Sequence, residues 1–122
     1  MSTVLAWGAL ALCGGCGAVL RFVLDGAVTR RFTSTLPMGT MVVNATGALV
    51  LGVLNAAALP EHLALVFGTG LIGAYTTFST WMFETQRLVE ERQNVRAAQN
   101  IVLSLALGLA AGALGLWIGG YL

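Results

Sequence analysis

The sequence predicts an all-α membrane protein with four transmembrane helices in a single domain. Three observations carry that prediction. Of the 122 residues, 57% are apolar and only 9% are charged, whereas a soluble domain carries about 25% charged residues. Mean hydropathy is +0.86. The charge-free stretches 1–20, 32–60, 63–83 and 97–122 each supply roughly the 20 residues that cross a hydrocarbon core of about 30 Å as a helix.

Helices over about 3–24, 37–58, 62–85 and 97–121 therefore use the chain from 1 to 122 with almost nothing left over. The polar connections fall in 21–36, at Pro60-Glu61-His62 and in 84–96. Nine percent charge cannot coat a soluble enzyme, and a net charge of +1 without a basic patch gives no track for nucleic acid.

The first span has no arginine or lysine ahead of it, and Leu12 before Cys13 is too large for a lipoprotein cleavage site. It is expected to be retained. Cys13-Gly-Gly-Cys16 lies within it. With no third ligand and no strand-helix setting, the cysteines read as small apolar packing residues. His62 reads as an interfacial residue at a turn.

In the second span, Asn44, Ala48, Gly52 and Ala56 recur every four residues. In the fourth, Asn100, Ser104, Gly108 and Gly112 do the same, with Gly115 and Gly119 as a second pair. Small residues at this spacing let helix backbones approach closely in a membrane. Asn44, Asn100 and Ser104 are different, because polar side chains inside a span need partners or a water-filled path.

The third span reads Gly68-Thr-Gly70-Leu-Ile-Gly73-Ala-Tyr-Thr76-Thr77-Phe78-Ser79-Thr80. Each glycine weakens a helix by about 1 kcal/mol relative to alanine. The four hydroxyls that follow can satisfy freed backbone groups where the segment faces protein or a cavity. This predicts a helix broken at the bilayer centre, with carbonyls of one half-helix attracting a cation. A continuous helix, its hydroxyls bonding back to its own carbonyls, is the other reading.

Three blocks then carry a resemblance: GGCGAVLR at 14–21, PMGTMVVNATGALVLG at 37–52 and GAYTTFSTWMFE at 73–84. In order and spacing they resemble the Fluc (CrcB) fluoride channels, and the resemblance extends over nearly the whole chain. It implies an antiparallel dimer of four-helix subunits with a broken third helix. It implies a central sodium ion between the subunits, held by carbonyls at positions matching Gly73 and Thr76. Asn44 and Phe78 match path-lining residues, Arg21 ends the first block and Glu84 closes the third. Asn100 and Ser104 would supply a polar track on the fourth helix. Two departures stand out: Trp81 replaces a second path phenylalanine, and Gly108 stands where another hydroxyl is expected.

The residue types suit a small, strongly hydrated anion. The Asn44 amide and the Thr77, Thr80 and Ser104 hydroxyls are compact donors, and an aromatic ring is electropositive at its edge. A conducting site must attract and release. No arginine or lysine sits in a span interior to bind too tightly.

With four spans, both termini and the 59–62 turn share one side, which carries no arginine or lysine. Arg21, Arg30, Arg31, Arg87, Arg92 and Arg96 all belong to the other. Positive residues favour the cytoplasm, so the chain is expected to insert in a bacterial inner membrane with its termini outside. An antiparallel dimer then calls for an oppositely oriented homologous subunit, with a homodimer as the alternative. A non-conducting assembly subunit is a second reading. A small multidrug exporter is a third, disfavoured because it needs a membrane-embedded carboxylate and Asp25 and Glu84 lie at span edges. No nucleophile, base and orienting group come together as in an enzyme.

Overall fold

A computed structural model describes residues 2–122. Among these residues all regular structure is helical, and four helices are long and apolar enough to cross a membrane: Thr3–Arg31, Met38–Ala56, Glu61–Glu90 and Asn94–Gly119. Helix α1 (Thr3–Arg31) opens on Ser2, whose hydroxyl accepts from the Leu5 N–H at 3.2 Å. It runs on past residue 24 to Arg31 because nothing in 21–31 breaks a helix, and Arg30 and Arg31 complement the negative end of its dipole. At 1.5 Å per residue, its 29 residues span ~43 Å, so the charged end projects beyond the hydrocarbon. Extended Phe32 and the run to Pro37 end it.

Helix α2 (Met38–Ala56) starts directly after Pro37, which has no N–H to leave unsatisfied. Ala58, at φ 53°, makes the turn to the third span. That span is built of α3 (Glu61–Ala64), a wider π-helical segment Leu65–Ile72, α4 (Gly73–Tyr75) and α5 (Ser79–Glu90). Thr76 between α4 and α5 is extended, with φ −82° and ψ 159°.

Charge in 84–96 does not keep that stretch out of helix. Helix α5 continues to Glu90, and only three residues separate it from α6 (Asn94–Gly119). The turn is a Schellman motif: the Gln93 N–H donates to the Leu88 carbonyl at 2.8 Å and the Arg92 N–H to Val89 at 3.0 Å. Arg92 takes the left-handed position at φ 60°.

Glycine sets how the spans meet. A Cβ on Gly115 would fall on the Leu49 carbonyl, one on Gly119 on Val53, and one on Gly52 on Gly112. Residue numbers rise together along this contact, so α2 and α6 run parallel at backbone contact, the approach small residues permit. Helix α1 packs on the third span in the same way, with Gly17 against Leu71 and Gly70 against Leu10. Of the two glycines in the Cys13–Cys16 block, Gly14 faces Gly70 in this contact and Gly15 meets nothing within 4 Å, while Cys13 is half-buried and Cys16 exposed, both free thiols. Gly108 meets nothing within 4 Å and belongs to neither seam.

Candidate ion path and cation site

The site forms where α2 faces the junction between α4 and α5. Asn44 and Gly47 lie one turn apart on α2. Gly47 makes room, since a Cβ there would run into Thr76 Cγ2. Asn44 reaches the next residue: its Nδ2 donates to the Thr77 carbonyl at 2.8 Å, and its Oδ1 accepts the Thr77 N–H at 2.8 Å. Thr77 Oγ1 in turn accepts the Thr80 N–H at 3.2 Å and donates to Thr80 Oγ1 at 3.1 Å. A hydroxyl accepting the N–H three residues on is how threonine starts a helix, and α5 begins here. Thr76 Oγ1 donates back to the Ile72 carbonyl at 3.0 Å.

On the open side of this junction, Asn44, Gly73, Thr76, Thr77, Phe78 and Trp81 line a shallow groove of about 350 Å³, floored by Gly47, Ala48 and Gly68. Phe78 is 70% exposed. Its ring meets the Trp81 indole edge to face, with centroids 5.7 Å apart and planes at 87°. On the other side of Thr77, a cavity of about 180 Å³ is lined by Arg21, Asp25, Thr40 and Thr80.

Behind Trp81 lies a buried polar knot. The indole Nε1 donates to the Asn100 carbonyl at 3.3 Å. Asn100 Nδ2 donates to Thr85 Oγ1 at 2.9 Å, and Thr85 Oγ1 donates to the Trp81 carbonyl at 2.9 Å. Asn100 is wholly buried. Among the described residues, its Oδ1, the Ser104 hydroxyl and Glu84 Oε1 have no hydrogen-bond partner.

The family described as CrcB-like protein, Camphor Resistance (CrcB), matches residues 8–116. The chain belongs to the CrcB family. It is 59% identical to the fluoride-specific ion channel FluC 2 of Mycobacterium bovis, over 95% of this chain and 92% of that protein. Identity is 57% to FluC 2 of Mycolicibacterium paratuberculosis, over 94% of each chain. It is 46% to FluC 1 of Leifsonia xyli, over 92% of this chain and 85% of that one. With four helices long and apolar enough to cross a membrane, this CrcB chain is a multi-pass membrane protein.

The candidate residues divide into four sets. Asn44, Gly73, Thr76, Thr77, Phe78 and Trp81 share the groove. Thr80 and Arg21 line the smaller cavity behind Thr77. Glu84 lines a third cavity, of about 480 Å³, at the arginine-bearing end with Thr29, Ser34 and Arg87. Asn100 and Ser104 lie outside the groove, and Asn100 touches it only through Trp81.

Three buried or bonded hydroxyls escape a reading by motif. Thr85 sits inside a run whose charge suggests a connection, although its spacing of four from Trp81 marks one helix face. Thr40 is 2% exposed beside Arg21 and Asp25. Thr46 shares a 2.7 Å hydrogen bond with the Tyr75 hydroxyl. Among the described residues, no three His, Cys, Asp or Glu side chains gather as a metal cluster, so the oxygens the groove offers a cation are neutral.

Proposed function

We propose that this chain is a subunit of a fluoride-selective channel that lets cytoplasmic fluoride leave the cell passively. One observation carries the reading most directly: the exposed Phe78 ring lies beside the Asn44–Thr77 pair in one groove, in a chain whose relatives are named fluoride-specific channels. The groove combines amide and hydroxyl donors with aromatic edges, which attract a small anion without fixing it. Asn44, Phe78, Trp81, Thr77, Thr80, Ser104 and Asn100 are the residues assigned to the path. Arg21 and Glu84 are structural charges near its ends.

The third span is read as broken at the bilayer centre. The extended Thr76 and the side-chain hydrogen bonds at Thr77 support this. A sodium ion suits the junction chemically, because a hard cation takes carbonyl oxygens and Gly73 and Thr76 both line the groove. Bound there, its charge would offset the cost of bringing an anion near. The chain's own residues then hold the carbonyls, present the aromatic edges and exclude lipid.

The channel is read as an antiparallel dimer in the bacterial inner membrane. The groove beside Phe78 is open and floored by small residues, which leaves room for a second subunit. All six arginines belong to the cytoplasmic end on this reading, placing both termini outside. A single-handed chain needs an oppositely oriented homologous subunit as its partner. Hydrogen fluoride enters cells neutral and ionises, and each 100 mV of potential contributes about 2.3 kcal/mol toward driving the anion out.

Growth of a fluoride-sensitive bacterium expressing the chain with its partner tests the function. Phe78→Ala is expected to abolish fluoride resistance, and Asn44→Ala to lower it without abolishing flux, while membrane insertion stays normal in both. Full resistance in both variants would favour the non-conducting assembly subunit.

A further inference from the structure

In an uninterrupted α-helix the Thr77 N–H would donate to the Gly73 carbonyl, and the Thr77 carbonyl would accept from Trp81. Neither bond forms. The last helical bond before the junction runs from the Thr76 N–H to Ile72 at 2.9 Å, and the Met82 N–H resumes the pattern on Phe78 at 3.0 Å. Between them, Asn44 holds both main-chain polar groups of Thr77, each at 2.8 Å. The side-chain amide thus stands in for the missing turn. Its oxygen competes with the Gly73 carbonyl for a single donor and wins it. Gly73 itself is exposed on the groove, so its carbonyl is left beside open space instead of inside a hydrogen-bonded turn.

We propose that Asn44 is a positioning residue for the cation. By taking the Thr77 N–H onto its own amide oxygen, it keeps the Gly73 carbonyl free for the ion. This rests on the sodium reading above, and it gives Asn44 a role separate from lining the fluoride path. Asn44 uses one N–H and one oxygen lone pair on Thr77, and its second N–H remains for the groove. One amide therefore serves both the carbonyl site and the anion path. Gly47 and Asn44 act as a pair in this, because Gly47 brings α2 close enough to Thr76 for the amide to reach Thr77.

The test combines sodium titration of fluoride flux with amide hydrogen exchange, on the full-length protein with its partner in lipid. Choline replaces sodium in the titration, and each variant is scaled to its own maximum. Asn44→Leu removes the acceptor and is expected to raise the sodium concentration for half-maximal flux by about tenfold, the equivalent of one hydrogen bond. Asn44→Asp keeps an acceptor for the Thr77 N–H and is expected not to raise it. In the unchanged protein the Thr77 amide is expected to be protected, and in Asn44→Leu to exchange at least about tenfold faster. The Gly70 and Thr85 amides should not change. That first exchange measurement needs no variant, so a poorly folding Asn44→Leu leaves the proposal open to refutation. An unprotected Thr77 amide in the unchanged protein overturns it. Sodium-dependent flux with unshifted half-saturation in Asn44→Leu also overturns it, while leaving the sodium site standing. Flux indifferent to sodium in the unchanged protein overturns the sodium reading and removes the proposal with it.

Discussion

The Trp81 indole donates to the main-chain carbonyl of Asn100 at 3.3 Å, tying the start of α5 to α6 across 19 positions of sequence. This bond fixes one end of the indole, and the other end meets the Phe78 ring edge to face. A phenylalanine at 81 would keep an aromatic edge but lose the tie. Tryptophan here couples the exposed aromatic of the groove to the buried asparagine of the fourth span.

Trp81→Phe is therefore expected to lower stability by about 0.5–1.5 kcal/mol, the worth of the lost hydrogen bond. Fluoride flux should stay within a few-fold of the unchanged channel. Trp81→Leu, which has no aromatic edge, is expected to lower flux by about tenfold or more. Thermal unfolding in detergent and fluoride efflux from liposomes read the two effects separately.

The close contact of α2 with α6 predicts an asymmetry between two glycines of one helix. Gly115→Val would push a side chain into the Leu49 carbonyl, and the backbones must separate. A loss of about 1–3 kcal/mol is expected, as for other overpacked contacts. Gly108→Ala meets open space and should be neutral, or stabilising by up to about 1 kcal/mol through helix propensity. Equal losses at both positions would contradict the packing described.

Ser104 separates a path role from a structural one. Its hydroxyl is buried without a partner among the described residues, so Ser104→Ala removes an unpaired polar group at little or no cost in stability. If the hydroxyl serves the fluoride path, flux falls while the melting temperature holds or rises. A lower melting temperature with unchanged flux would assign it to structure alone.

The four spans are legible because charge marks their ends and the hydrocarbon sets their length. Their limits are less so. Helix α1 continues to Arg31 because helices project beyond the bilayer wherever the chain stays compatible with helix, and lack of charge is no measure of that. The run 84–96 looks like a connection from its charge, yet the turn within it takes only residues 91–93, since Arg92 accepts a left-handed conformation.

At the site, the glycines and hydroxyls of the third span point to irregular backbone there. Neither their spacing nor the composition reveals that an amide 33 positions earlier supplies both missing partners of Thr77. Thr85 is hidden for a related reason. Its partner Asn100 is 15 positions away on another helix, and only tertiary packing joins them.

The arginine distribution predicts a single orientation. Cysteine or epitope tags placed after Leu122 should react only from the periplasmic side of intact cells. An even division between the two faces would contradict this and restore a homodimer of one chain in two orientations.

Fluoride efflux from sodium-containing liposomes, followed with an ion-selective electrode and with chloride as control, decides whether the chain forms a fluoride channel. The chain is reconstituted alone and again with an oppositely oriented homologue. Rapid fluoride release without chloride release is expected from the paired preparation, and none from the chain alone. Fluoride release from the chain alone would remove the need for a partner and keep the channel. No fluoride release from either preparation, with the protein folded and inserted, would contradict the channel itself.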